Sequence, residues 1–197
     1  MSYHAQTADR TEAVLVIVDV QERLAVTMER RDAVLAAAEK LVETSALLGM
    51  PIVATRQYPA GLGDTEPRLA SAIRDAKATT IVLEADKVSF DCFGEPAFTE
   101  AVALTGRHQL LIAGMESHIC VVQTALSGLE RGHSVHVVAD ACCSRSADAH
   151  ELALARLRAA GAVVTTTEAV LYELVGAAGT DEFRELLRIV KGRRSAT

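Results

Sequence analysis

Six short runs of branched aliphatic residues punctuate the chain: AVLVIVDV (13–20), PIVATR (51–56), TTIVLE (79–84), QLLIAG (109–114), SVHVVAD (134–140) and AVVTTT (162–167). A strand with one wet face alternates apolar and polar positions. Most of these runs are instead apolar at consecutive positions, the pattern of strands covered on both faces in a parallel sheet. Between most of them the spacing turns helical. RDAVLAAAEKLVETSALLG, ICVVQTALSGLERG and ADAHELALARLRAAG stop at Gly49, Gly132 and Gly161, and glycine readily takes the left-handed conformation that closes a helix. A last amphipathic segment, TDEFRELLRIVKG, starts on a Thr180 cap and has no strand after it. The alternation predicts an α/β fold of three layers, with helices on both faces of a doubly wound, mainly parallel six-stranded sheet. The stretches 58–78 and 87–107 are less regular. Both follow strand C-termini, the edge at which open α/β sheets build their sites. With no internal repeat, low-complexity tract or Pro/Gly/Ser-rich linker, the division expected is an N-terminal extension (1–12), one domain (13–190) and a flexible basic tail (191–197).

Composition narrows the classes. The chain has 197 residues, enough for a sizeable core without staples, and only 4% of them are aromatic, which suits helices packed closely on a sheet. A net charge of -6 offers no basic face for a run of phosphates, so no nucleic-acid partner is expected. No apolar stretch approaches the ~18 residues of a membrane span, and the polar N-terminus lacks a signal-peptide core. No membrane partner and a cytoplasmic location are therefore expected. Cys92, Cys120, Cys142 and Cys143 form no CxxC pair and read as free thiols of a reducing compartment.

Three polar residues stand where parallel strands should end. Asp19 closes VLVIVD, Lys87 follows TTIVLEAD, and Cys120 follows LLIAG at the start of a helical pattern. Taken singly, Cys120 reads as core packing, Asp19 as a turn cap and Lys87 as a surface charge. Taken together they share one edge of the sheet, where strands ~4.8 Å apart let the side chains converge. A cation and a helix N-terminus would lower the thiol pKa of Cys120. Asp19 would accept the thiol proton and return it to a leaving group. Backbone N–H groups around Cys120 would face a developing oxyanion.

VLVIVDVQ, the K-x-x-F loop and AGMESHICV, in this order and spacing from about residue 13 to 174, resemble the isochorismatase-like cysteine hydrolases, which include nicotinamidases and N-carbamoylsarcosine amidases. The resemblance implies a catalytic triad of Asp19 as general base and acid, Lys87 as charge stabiliser and Cys120 as nucleophile. It also implies a non-proline cis peptide at Met115–Glu116, an oxyanion hole from the N–H groups of Glu116 and Cys120, and a homo-oligomer, dimer or higher. Nicotinamidases of this superfamily carry metal-binding histidines after the second strand. Here that segment reads TRQYPAGLGDTEP and holds no histidine, so no metal and no other cofactor is expected.

Gln21, Tyr58, Phe90, Phe93, Met115 and His118 are the candidate substrate-binding residues, Tyr58, Phe90 and Phe93 as walls of a small apolar pocket. Gln21 reads equally as an ordinary loop hydrogen bond, and the aromatics as packing under a neighbouring subunit. GLGDTE lacks the strand-to-helix glycine pattern of a dinucleotide loop. His133 and His136, three apart at a strand entry, would face opposite sides and hold no zinc. Vicinal Cys142 and Cys143 read as packing before a helix capped by Ser146. The expected function is hydrolysis of a small amide or imide C–N bond through a thioester on Cys120. The alternatives are a thiol-redox sensor and a catalytically silent oligomeric scaffold of the same fold.

Overall fold

The computed structural model describes residue 4 and residues 6–192. Of the tail expected over 191–197, Lys191 closes the last helix, Gly192 follows it, and 193–197 lie outside the described residues, as do 1–3 and 5. In chain order the elements are β1 (Ala13–Val18), α1 (Glu22–Ala25), α2 (Arg31–Leu47), β2 (Ile52–Gln57), α3 (Pro59–Leu62), α4 (Pro67–Ala76), β3 (Val82–Lys87), a 3-10 turn (Cys92–Gly94), α5 (Pro96–Thr105) and β4 (Gln109–Met115). A π-turn (Ser117–Val121) leads into α6 (Val122–Glu130), followed by β5 (Ser134–Cys143), α7 (Ala147–Ala159), β6 (Val163–Thr165), α8 (Thr167–Val175) and α9 (Asp181–Lys191).

The strands form one sheet in the order β3-β2-β1-β4-β5-β6. Every pairing is parallel, where the sequence had led us to expect a mainly parallel sheet. Central β1 shows why its run is continuously apolar. Ala13, Leu15 and Ile17 enter a core shared with residues of α2, α4, α8 and α9, while Val14, Val16 and Val18 enter a second core shared with α5, α6 and α7. Successive side chains point to opposite faces, so a strand covered twice needs no polar position.

The third strand lies three residues later than the run at 79–84 predicts. Thr79 and Thr80 finish the turn after α4 by donating to the Ala76 carbonyl, and the strand begins at Val82. It is an edge strand: Glu84 and Asp86 are exposed while Ala85 and Lys87 are buried, an alternation that the apolar-run pattern misses. Lys87 is thus the last residue of β3 and not the first of a loop. The two irregular stretches contain α3, α4 and α5, each with proline at its first turn, where the missing N–H costs nothing. β5 runs past Asp140 and includes both Cys142 and Cys143, with an irregular register against β4 between Ile112 and Gly114. The expected caps are present: Ser146 accepts from the Ala149 N–H and Thr180 from the Phe183 N–H.

The chain winds from β1 outward to β2 and β3, then crosses to β4 and winds the other way. The strand order therefore switches between β1 and β4, and open α/β sheets form their clefts at the carboxyl ends of strands at such a point. Asp19 and Cys120 follow these two strands.

Candidate active site

Asp19 leaves β1 with φ 52°, a left-handed conformation that few non-glycine residues adopt and that Asp tolerates better than most. Its N–H donates to the Thr55 carbonyl at 3.2 Å, and the Thr55 hydroxyl donates to its Oδ1 at 2.7 Å. Its Oδ2 meets Lys87 Nζ at 2.7 Å, and both side chains are wholly buried. Lys87 is paired in register with Gln57 of β2, so β2 separates it from β1. Its long stem carries the ammonium over that strand to Asp19. There Nζ also donates to Gln57 Oε1 at 2.5 Å, Ser89 O at 3.1 Å and Phe90 O at 3.3 Å. Burial works to lower the Lys87 pKa, but the Asp19 carboxylate, through its charge and its hydrogen bond, holds it above its ordinary value. The group is therefore an ammonium at neutral pH.

On the other side of the switch point, β4 comes so close to β1 that a Cβ on Gly114 (φ 140°) would lie 2.0 Å from the Val18 carbonyl oxygen. The Met115–Glu116 peptide that follows is cis, as the resemblance implies. The chain then forms a π-turn, marked by the Val121 N–H donating to the Glu116 carbonyl five residues back at 3.3 Å. Insertions of this kind recur at functional sites. Two Ser–His contacts hold the turn: Ser117 Oγ with His150 Nδ1 at 2.8 Å and His118 Nδ1 with Ser144 Oγ at 2.9 Å. Cys120 rides on this turn, 5% exposed, instead of opening an ordinary α-helix.

The expected lowering of the Cys120 pKa is corrected by its surroundings. Burial, and then the negative charge of Asp19, push the thiol up; Lys87 opposes them, and a hydrogen bond to Asp19 further favours the protonated form. The ammonium is already matched to a carboxylate, so its influence on the sulfur is largely offset. At rest the site holds a neutral thiol, a carboxylate and an ammonium. Cys92 adds a second thiol, with Sγ 3.8 Å from Thr55 Oγ1 and a pKa raised to about 12 by burial.

The remaining candidates separate into two groups. Gln21 is fully buried; its Nε2 donates to the carbonyls of Gln57 (3.1 Å) and Gly63 (2.7 Å) and its Oε1 accepts from the Gln57 N–H (2.7 Å). It clamps the loop after β2 and has no N–H left for a ligand, which corrects its placement as a lining residue. Phe93 packs edge-on against Phe98 and stacks on His133, with Arg131 over its ring. It belongs to the core beneath α6 rather than to a pocket wall. Met115 is likewise wholly buried in the opposite core. Tyr58 and Phe90 are more than half exposed and flank Lys87: the Tyr58 N–H donates to the Lys87 carbonyl at 2.7 Å, and Phe90 O receives Nζ. His118 is half-buried beside the turn. The Glu116 carboxylate points away from the thiol role altogether, gripping Arg145 through Nε and Nη2 at 2.6–3.1 Å. Burial acts to raise its pKa, and the bonds from Arg145 bring it below the usual carboxylate value.

Sequence reasoning missed Thr55 and Gln57, the two residues that fix Asp19 and Lys87. The available signal was polar side chains at the end of an apolar strand aimed at the same edge. It also missed His150, a histidine on the buried face of a helix. Among the described residues no group of three or more His, Cys, Asp or Glu is arranged to hold a metal ion, and no helix is long and apolar enough to cross a membrane.

Six parallel strands in this order, with polar side chains gathered at the switch point, define an isochorismatase-like hydrolase fold. Residues 13–169 match the isochorismatase domain, and the chain belongs to that family. Isochorismatase domain-containing protein 2A of Mus musculus is 37% identical over 184 residues, covering 91% of this chain and 82% of the mouse protein. Among solved structures, MAR1 ribonuclease from Caenorhabditis elegans superposes with a TM-score of 0.85 at 30% identity, over 95% of this chain and 93% of that one. The YcaC gene product of Escherichia coli, described as an octameric hydrolase of unknown specificity, gives 0.82 at 26% identity over 93% and 90% of the two chains.

Proposed function

We propose that the protein hydrolyses a small carboxamide or related C–N bond through a thioester on Cys120. The observation that carries this reading is the convergence of Asp19 and Lys87, paired at 2.7 Å at the carboxyl edge of the sheet, with both acting on the Cys120 thiol. In the first half-reaction Sγ attacks the carbonyl carbon while the thiol proton passes to Asp19. The N–H groups of Glu116 and Cys120 bind the oxyanion. Asp19 then returns the proton to the leaving nitrogen, the C–N bond breaks, and the amine departs. In the second, Asp19 takes a proton from water, hydroxide adds to the thioester carbonyl, the C–S bond breaks to release the acid, and Asp19 returns its proton to the sulfur, restoring thiol and carboxylate. Lys87 offsets the charge that develops on sulfur.

A protonated resting thiol suits this cycle, because the carboxylate that must accept the proton is already beside it. Attack on RNA of the kind named for the C. elegans protein has less to draw on, since a net charge of -6 does not favour a polyanion. The octameric YcaC protein supports a homo-oligomer here as well. The test is a mass-spectrometric screen of small amides for an acyl adduct on Cys120. A mass increase confined to the Cys120 peptide, and lost in Cys120→Ser together with amine release, is expected. Amine release that survives Cys120→Ser rules the mechanism out.

A further inference from the structure

The cation and the carboxylate that act on Cys120 are already paired with each other. Lys87, whose charge acts on the thiol, faces four oxygens: Asp19 Oδ2 at 2.7 Å, Gln57 Oε1 at 2.5 Å, Ser89 O at 3.1 Å and Phe90 O at 3.3 Å. An ammonium has three hydrogens, so none is left for a ligand, and its single charge is matched by Asp19. Arg145 follows Ser144, whose hydroxyl holds His118 two residues before the thiol. Its guanidinium is gripped by the buried Glu116 carboxylate. Arg56 on β2 is paired with Asp86 and Asp64, and Arg23 donates to the Gly61 carbonyl at 2.9 Å. What stands exposed beside Lys87 is apolar: Tyr58, Val88 and Phe90 are each more than half accessible.

We infer that this site is selective for uncharged carbonyl compounds and excludes carboxylates. The inference rests on Cys120 being the nucleophile proposed above, and it narrows the substrate class to neutral amides. A substrate carboxylate would find the Lys87 ammonium already saturated and charge-matched, and would exchange its hydration for an apolar rim. An uncharged amide meets neither obstacle.

Iodoacetamide and iodoacetate alkylate the same sulfur and differ in charge, so their rates at Cys120, read by timed peptide mass spectrometry, test the inference whatever the natural substrate is. The iodoacetamide-to-iodoacetate ratio at Cys120 is expected to exceed that of a small neutral thiol by about fivefold or more, the penalty for stripping a carboxylate of water with no partner to replace it. The excess should persist in 1 M salt, where the Debye length is about 3 Å. A smaller excess overturns the inference. So does one that vanishes at 1 M, which would trace it to the long-range field of a chain with net charge -6. Ammonia release from succinamide and succinamate separates the two readings. Faster release from succinamide supports both, and equal release overturns the charge selectivity while leaving the hydrolase. No release from either, with the alkylation selectivity intact, removes the hydrolase alone.

Discussion

Asp19 does two jobs from one backbone position. Its positive φ turns the carboxylate from the strand direction to face Lys87, and strained residues held by well-packed surroundings cluster at functional sites. Asp19→Asn keeps the shape but cannot take the thiol proton, so kcat is expected to fall by about 10³, the usual scale of a lost general base. Amine-release kinetics on folded variant protein check this. Lys87→Met should act on stability instead, because it leaves a buried carboxylate without a partner. Loss of one member of a buried pair costs roughly 3–5 kcal/mol, read as a lowered urea midpoint. Cys120 is expected to react with iodoacetamide before Cys92, Cys142 and Cys143. All four thiols are pushed up by burial, so acidity does not single it out. Access does, since Cys120 is 5% exposed and the others 0–1%, and the proposed mechanism gives it Asp19 as a base. Equal labelling of the four would remove the argument.

At the scale of elements, the π-turn and the strands on either side of it set the geometry. Gly114 lets β4 lie against Val18, and a Cβ 2.0 Å from a backbone oxygen has no flexible partner to give way. β5 carries its own liability in His136, which is fully buried, with Nε2 3.1 Å from Gln109 Nε2 and Nδ1 unpartnered. Burial lowers its pKa from 6.5 to about 4. The unfolded chain therefore binds this proton at a higher pH than the folded one, and stability is lost as pH falls from 6.5 to 4, by roughly 3 kcal/mol. His136→Leu should flatten that limb of the pH–stability curve measured by urea denaturation. The thiols act in the opposite direction: ordinarily titrating at 9.0, they are held protonated in the fold. Above pH 9 the unfolded chain gives up protons that the folded one keeps, costing up to about 1.4 kcal/mol per thiol per pH unit. The raised Lys87 adds stability that is present below its ordinary 10.5 and lost only as pH rises through its folded value. A stability plateau between about 6.5 and 9 is the expected outcome.

At the scale of the whole molecule, the exposed Ile81, Val88, Phe90 and Leu104 lie on or beside β3 and α5, the open edge of the sheet. An apolar edge of this kind is commonly covered by another chain. Native mass spectrometry is expected to give a multiple of 21.0 kDa, and Val88→Glu to shift it toward that mass. Period and composition alone determined the α/β class, the strand count and the central strands, because a strand buried on both faces writes its burial directly into consecutive residues. They also marked Asp19, Lys87 and Cys120 as belonging to one edge. The start of β3 was not legible, since an edge strand half open to water admits Glu84 and Asp86. Nor were the inward turns of Phe93 and Met115, the clamp made by Gln21, or the protonated state of Cys120. Those depended on which neighbours arrive from distant parts of the chain: pKa and side-chain partnership are set by burial and by charges a few ångströms away, and only folding brings Thr55, Gln57 and Lys87 around Asp19.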